Sequence, residues 1–315
     1  MLPALIAFAS SAPAQSVDHA RQLFEEAKYA EAKSVLSTLQ KTDDGSAAVS
    51  YYLGRIAMID NDGNKAVRHF ERAVQLEETS ALYHFWLGSA IRDVTPHVSK
   101  FRMPFNARRM KKEWERAVQL DPNQIDARYG LVQFYSMAPG VMGGSIDKAR
   151  AQAAEIAKRN EMRGAIARGL IAEQQKNVAA QEAAYRQAIV AAPDSAPGYF
   201  QLGNVYAVNG KADEAFATLD QYVKRQPGDR WAMYEAGRFA GTTGEQLDRG
   251  ESALKQFLAV PPVDANAVYV GGAHYWLGRI AERRGSKSAA RAQYEAALKI
   301  NPGSQLSRRA LDALK

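Results

Sequence analysis

Cysteine is missing altogether from this chain of 315 residues. That removes disulfide frameworks, thiolate nucleophiles and cysteine-ligated zinc in one step. An absence of thiols suits an oxidising compartment, and many cytosolic proteins share it. Long apolar runs are missing too: no stretch of about 18 apolar residues occurs, so no segment has the length of a helix that crosses hydrocarbon. Histidine is scarce. The five are His19, His69, His84, His97 and His274, and no two stand at a metal-ligand spacing such as His-x-x-x-His. Neither a Gly-x-Ser-x-Gly elbow nor a phosphate loop nor a dinucleotide fingerprint is present. Asp60-Asn61-Asp62-Gly63 shares part of a calcium loop, but the bidentate Glu expected further on is lacking. Carboxylate pairs such as Glu25-Glu26 and Glu77-Glu78 are adjacent, so they splay around a helix instead of converging. The sequence implies no enzyme, no metal and no cofactor.

What is present is a repeat. The chain is 46% hydrophobic and 24% charged, enough apolar surface to bury a core. Leu-Gly recurs at 53–54, 87–88, 202–203 and 277–278, with weaker versions at Arg168-Gly169 and Ala236-Gly237. The first two pairs are 34 residues apart, as are those at 168 and 202. From Leu202-Gly203 the chain continues through Tyr206, Gly210 and Ala215 to Pro227. From Leu277-Gly278 it continues through Gly285, Ala290, Tyr294 and Ala297 to Pro302, and from Leu53-Gly54 through Gly63, Ala66, Phe70 and Ala73. This in-phase set at a 34-residue period resembles the tetratricopeptide repeat (TPR) family over residues 16–303. The fold the resemblance implies is all-α, a right-handed superhelical α-solenoid of helix–turn–helix repeats. Small residues at the Gly and Ala positions let helices approach closely, and the aromatic at 70, 185 or 294 fills space against the next repeat. Since one hairpin cannot bury its own apolar face, the units must stack. His84 and His274 occupy the place the family usually gives to Trp, and are read as packing residues.

The organisation expected is therefore in three parts. Residues 1–14 read as a truncated signal peptide: Leu2 to Ala9 is apolar and Ala12-Pro13-Ala14 has the small residues of a cleavage site, although no basic residue precedes the run. Residues 15–303 hold eight repeats, and 304–315 form a capping helix with Leu306, Ala310, Leu311 and Leu314 inward and Arg308, Arg309 and Lys315 outward. Export implies a periplasmic or secreted protein; the alternative is cytoplasmic.

Two repeats are longer than the period allows. The third gains about ten residues near 94–106, and the fourth carries Met137-Ala-Pro-Gly-Val-Met-Gly-Gly144 before Asp147. The second insertion is similar to loops in exported bacterial TPR proteins, including the TPR component of some substrate-binding-protein-dependent transporters. It reads equally as a packed structural loop or as one that touches a partner. Around the first insertion lie Lys100, Arg102, Arg108, Arg109, Lys111, Lys112 and Arg116 against only Glu113 and Glu115, a net +5 of the chain's +7. Phe101, Phe105 and Trp114 interleave with them. That composition serves single-stranded nucleic acid or anionic lipid, or else it is a solvated helix face whose aromatics pack inward.

In the family the first helix of each repeat lines a concave face. The resemblance places Tyr51, Phe85, Tyr129, Ile166, Phe200, Tyr234 and Tyr275 there, with Arg55, Ser89, Gln133, Leu170, Asn204, Arg238 and Arg279 four residues after each. That offset stacks the two members of a pair on one helix face. Of the polar set only Asn204 matches the family's habit of offering Asn to an extended peptide backbone. Arg55, Arg238 and Arg279 depart from it. Their guanidinium forks suit an acidic ligand, or each pairs with a glutamate of its own array, such as Glu235 or Glu282. The function expected is a scaffold that binds a protein or peptide in the groove. The alternative is a periplasmic solute-handling component of a transporter, and peripheral membrane contact is a further expectation.

Overall fold

The computed structural model describes residues 16–42, 46–262 and 265–314. The region read as a signal peptide lies outside them. Among the described residues there are seventeen α-helices, two short 3-10 turns and no strand. Contacts divide the chain into two compact units, Met1–Gln152 and Ala153–Lys315.

The first unit holds the helix pairs α1 (Val17–Glu25) and α2 (Tyr29–Thr42), α3 (Ala47–Ile59) and α4 (Gly63–Leu76), α5 (Ala81–Val94) and α6 (Met103–Leu120), followed by α7 (Ile125–Met137). The division falls within α8 (Ile146–Arg159). The second unit continues with α9 (Glu161–Gln174) and α10 (Val178–Ala191), α11 (Ala196–Val208) and α12 (Ala212–Arg225), α13 (Arg230–Thr243) and α14 (Leu247–Ala259), α15 (Ala267–Arg283) and α16 (Lys287–Ile300), and ends with α17 (Gln305–Ala313).

Helix starts are written in the sequence as side-chain caps, which satisfy amide donors the first turn leaves open. Asp62 accepts from the Lys65 amide at 3.1 Å, Asn160 from Arg163 at 2.9 Å and Asn177 from Ala180 at 3.0 Å. The short turn inside most pairs carries a residue with positive φ. Gly210 and Gly285 take that role, at 73° and 76°. In the second pair it falls on Asn61 (φ 59°) and not on Gly63, which is the first residue of α4. Asn reaches the left-handed region because its short polar side chain bonds locally.

The small residues act as the repeat requires. A methyl group on Gly54 would stand 2.7 Å from the Phe70 ring, on Gly169 2.2 Å from Tyr185, and on Gly278 2.4 Å from Tyr294. Each aromatic thus rests on the glycine of its own pair, and Phe70 also stacks on Trp86 of the next pair with ring centroids 6.0 Å apart. Ala66, Ala215 and Ala290 are fully buried. Trp114 is gripped from both sides: methyls on Gly88 and Gly130 would reach its ring at 2.6 and 2.8 Å. Its Nε1 is buried with no hydrogen-bond partner among the described residues.

The insertion near 94–106 is divided between a longer connection and extra helix. Helix α6 has 18 residues, four more than α4, and residues 95–102 separate it from α5. Arg108 to Arg116 therefore sit on a helix and not in a loop. At the other end, Leu306 is 63% exposed while Ser307 is 1% exposed. The inward face of α17 runs through Ser307, Ala310, Leu311 and Leu314, because counting back seven residues from Leu314 reaches 307. Leu306 is one step, about 100°, off that face.

Candidate functional site

Two of the paired positions on the first helices meet through their side chains. In the first unit Arg55 donates to the Tyr51 hydroxyl at 2.7 Å, and in the second Arg279 donates to Tyr275 at 3.3 Å. Tyr51 and Tyr275 are nearly enclosed, at 8% and 9% exposure. Tyr51 packs on Tyr83 with ring centroids 5.3 Å apart, and Tyr275 on Tyr294 at 5.8 Å. These two rings are spent on the core, and the guanidinium above each is what faces outward. Phe85, Tyr129, Phe200 and Tyr234 are only half-buried.

The three arginines are held in different ways. Arg55 has no carboxylate at ion-pair distance among the described residues. Its guanidinium lies 3.9 Å from the Trp86 ring centroid, 5.2 Å from Phe24 and 5.7 Å from Tyr51, an arrangement in which ring quadrupoles stabilise the cation. Arg238 donates from Nε to Glu235 at 2.6 Å and from its first terminal nitrogen to Oδ1 of Asn204 at 2.7 Å. Burial pushes the Glu235 carboxyl above its ordinary range, and Arg238 pulls it back down. Arg279 stands 3.4 Å from Glu282, which also accepts from the Tyr294 hydroxyl. The glutamates of the array thus occupy Arg238 and Arg279, and the acidic-ligand reading loses two of its three cations.

Sequence reasoning missed the tryptophans beside the groove positions. Trp86 supplies the floor under Arg55. In the second unit Trp231 and Tyr269 join Tyr234 and Phe257, with ring centroids 4.6 Å apart for Trp231 and Tyr269. A methyl on Gly272 would stand 2.5 Å from the Tyr234 hydroxyl, so that glycine makes room for it. The signal available was the aromatic adjacent to the repeat position, as in Phe85-Trp86 and Tyr275-Trp276. In the first unit Ser89 is buried and donates to the Phe85 carbonyl at 3.0 Å, so it offers nothing outward.

Gln133 has another setting. It lines a cavity of about 510 Å³ with Met110, Trp114, Phe134, Met137 and Met142. The loop over residues 137–144 thus lies against α6, with Pro139 and Met142 on the cavity wall and Val141 92% exposed. His84 is a packing residue: Nδ1 is 2.6 Å from Glu113 and Nε2 is 3.1 Å from the Glu78 carbonyl, which can only accept.

The basic segment separates into three kinds of residue. Arg109 pairs with Glu71 at 2.5 Å and Lys111 with Glu115 at 3.7 Å. Lys100, Arg102, Arg108 and Lys112 are exposed. Of the three aromatics, Trp114 is buried at 1%, whereas Phe101 and Phe105 are exposed at 96% and 68%. The expectation that these aromatics pack inward holds for one and fails for two.

The tetratricopeptide repeat family model matches residues 17–81, 143–196 and 243–305, more than half of the chain. The chain is a tetratricopeptide repeat protein. Over 119 residues it is 34% identical to the cellulose synthase operon protein C of Pseudomonas fluorescens (strain SBW25). That match spans 36% of this TPR chain and 9% of the relative's length. Among solved structures, a tetratricopeptide repeat protein of Parabacteroides merdae is similar, with a TM-score of 0.52 at 13% identity, covering 83% of this chain and 95% of that one. A monomeric mutant of IFIT1 with Gppp-AAAA has a TM-score of 0.57 at 14% identity, covering 94% of this chain and 70% of that one. At such identities the likeness is one of fold. It agrees with an all-α repeat architecture. Among the described residues no helix is long and apolar enough to cross a membrane.

Proposed function

We propose that this TPR protein is an interaction scaffold that holds an extended segment of a partner polypeptide against the first helices of the second unit. The observation that carries this reading is the link between Arg238 and Asn204. By donating a hydrogen bond to Oδ1, Arg238 fixes the orientation of the Asn204 amide, whose Nδ2 donors have no partner among the described residues. An amide held in this way is ready to bond a backbone carbonyl at little entropic cost. The half-buried rings of Phe200, Tyr234 and Trp231 flank it and supply contact area. With Glu235 neutralising Arg238, this part of the face suits a polypeptide backbone more than a strongly acidic ligand.

Placing a photoreactive phenylalanine at Phe200 or Tyr234 is expected to crosslink a partner polypeptide, and Asn204→Leu is expected to abolish the adduct. Equal crosslinking from Val190, which is exposed on the second helix α10, would overturn the assignment. The name of the Pseudomonas relative ties that protein to a cellulose synthase operon, which supports an envelope setting here, with residues 1–14 as the export signal. The solute-handling reading draws on one feature, the methionine-lined cavity beside Gln133. A thermal shift with small apolar solutes that vanishes in Met110→Asp would favour it.

A further inference from the structure

Helix α6 carries a surface that neither the core nor the proposed partner site uses. Phe105, Arg108, Lys112 and Arg116 are all exposed and fall three or four residues apart, so they form one stripe along the helix. Phe101, in the turn that leads into α6, extends beyond the stripe. No Asp or Glu occurs between His97 and Lys112. Arg109 and Lys111 are engaged by Glu71 and Glu115. By contrast, Lys100, Arg102, Arg108, Lys112 and Arg116 have no carboxylate at ion-pair distance among the described residues.

Two phenylalanines bare to water beside unpaired cations are a costly surface unless something covers them. Their arrangement says what. Single-stranded nucleic acid is bound by aromatic rings set among the cations, so that bases stack while phosphates are neutralised. Trp114 is the ring that would interleave with the cations along the helix, and it is buried at 1%. What remains outside is two rings at the leading end, with Lys100 and Arg102 on either side of Phe101, and a row of cations, Arg108, Lys112 and Arg116, along the stem. A lipid surface suits that arrangement, because apolar side chains at one end pass the headgroups while the cations beside and behind them stay at the phosphate level. Such contact also needs no shaped cleft around the rings.

We propose that the N-terminal end of α6 docks on an anionic lipid surface, with Phe101 and Phe105 entering the headgroup boundary and Lys100, Arg102, Arg108 and Lys112 contacting lipid phosphates. This contact is independent of the partner site on the first helices.

The test is sedimentation of the full chain with vesicles of phosphatidylglycerol and phosphatidylcholine in equal parts, and with vesicles of phosphatidylcholine alone. The anionic vesicles are expected to bind at least about tenfold more tightly, and added salt should erase most of the difference, since each exposed cation contributes a screened attraction. Phe101→Ser with Phe105→Ser is expected to weaken binding about tenfold with little change in salt dependence, as the apolar contribution is not screened. Arg108→Glu with Lys112→Glu is expected to remove the preference for anionic lipid. These four side chains are exposed, so circular dichroism and melting should match the parent. Equal binding to both vesicles, or none to either, overturns the proposal whatever the variants do. So does undiminished anionic binding in either variant, or tighter binding to a single-stranded oligonucleotide or a polyglutamate peptide than to the anionic vesicles.

Discussion

Arg238 bonds Asn204 across 34 residues, one repeat period, at 2.7 Å. The same arginine pulls the Glu235 carboxyl back down against burial. Arg238→Met should leave that carboxylate enclosed without its partner and cost about 3–5 kcal/mol. A carboxyl whose folded-state pKa is raised stabilises the fold below its unfolded pKa and loses that contribution as pH rises through the folded value. The deficit of the variant relative to the parent should therefore be larger at neutral pH than near the ordinary carboxyl value of 4.5. Melting temperatures of both proteins at the two pH values check the sign.

Gly237 and Gly228 separate packing from conformational freedom. A methyl on Gly237 would stand 2.1 Å from Cγ of the fully buried Leu254, so Gly237→Ala is expected to lose about 1–3 kcal/mol. Nothing lies within 4 Å of a methyl on Gly228, which is not among the positive-φ glycines. Gly228→Ala should be neutral or stabilise by up to about 1 kcal/mol, because it restricts the unfolded chain. Urea denaturation of the pair measures both.

His84 is almost enclosed and bonds Glu113 and the Glu78 carbonyl. His84→Ala removes the donor to the partly exposed Glu113 carboxylate and to the Glu78 carbonyl and should cost about 1–2 kcal/mol. Adding Glu113→Leu should recover part of that loss in a double-mutant cycle, since it removes one of the stranded acceptors.

His69 is held below its ordinary 6.5 by burial first, with Arg68 and Lys65 adding repulsion and Asp62 opposing them. A depressed histidine leaves the fold fully stable above the unfolded pKa. As pH drops below that value the unfolded chain binds the proton first, and stability declines until the folded pKa is passed. His69→Gln should flatten the decline of melting temperature between neutral pH and about pH 5.

Much of the architecture was legible along the chain because a repeat states its own contacts. Gly54, Gly169 and Gly278 recur where a helix must approach an aromatic, and the ring 16 residues later meets each one. The groove was legible only in part. Periodicity placed Tyr51 with Arg55 and Tyr275 with Arg279 on common faces, as found. How much of each ring its neighbours cover depends on other helices, so the enclosure of Tyr51 by Tyr83 and of Tyr275 by Tyr294 could not be read from spacing. At Leu306 the composition was right and the register was one residue off, which rotates a side chain by about 100° and from core to water.

By itself the sequence determined the repeat, the close approaches at its small residues, the caps and turns, and the single basic segment, since these follow from residue type at fixed local spacing. Tertiary structure alone decided the fate of the charges and rings. It gave Arg238 to Glu235 and Asn204, set Arg55 over Trp86, and buried Trp114 while leaving Phe101 and Phe105 in solvent. The physical reason is range. A cap or a turn is satisfied within a few residues, whereas desolvation and ion pairing depend on what the neighbouring helices bring alongside.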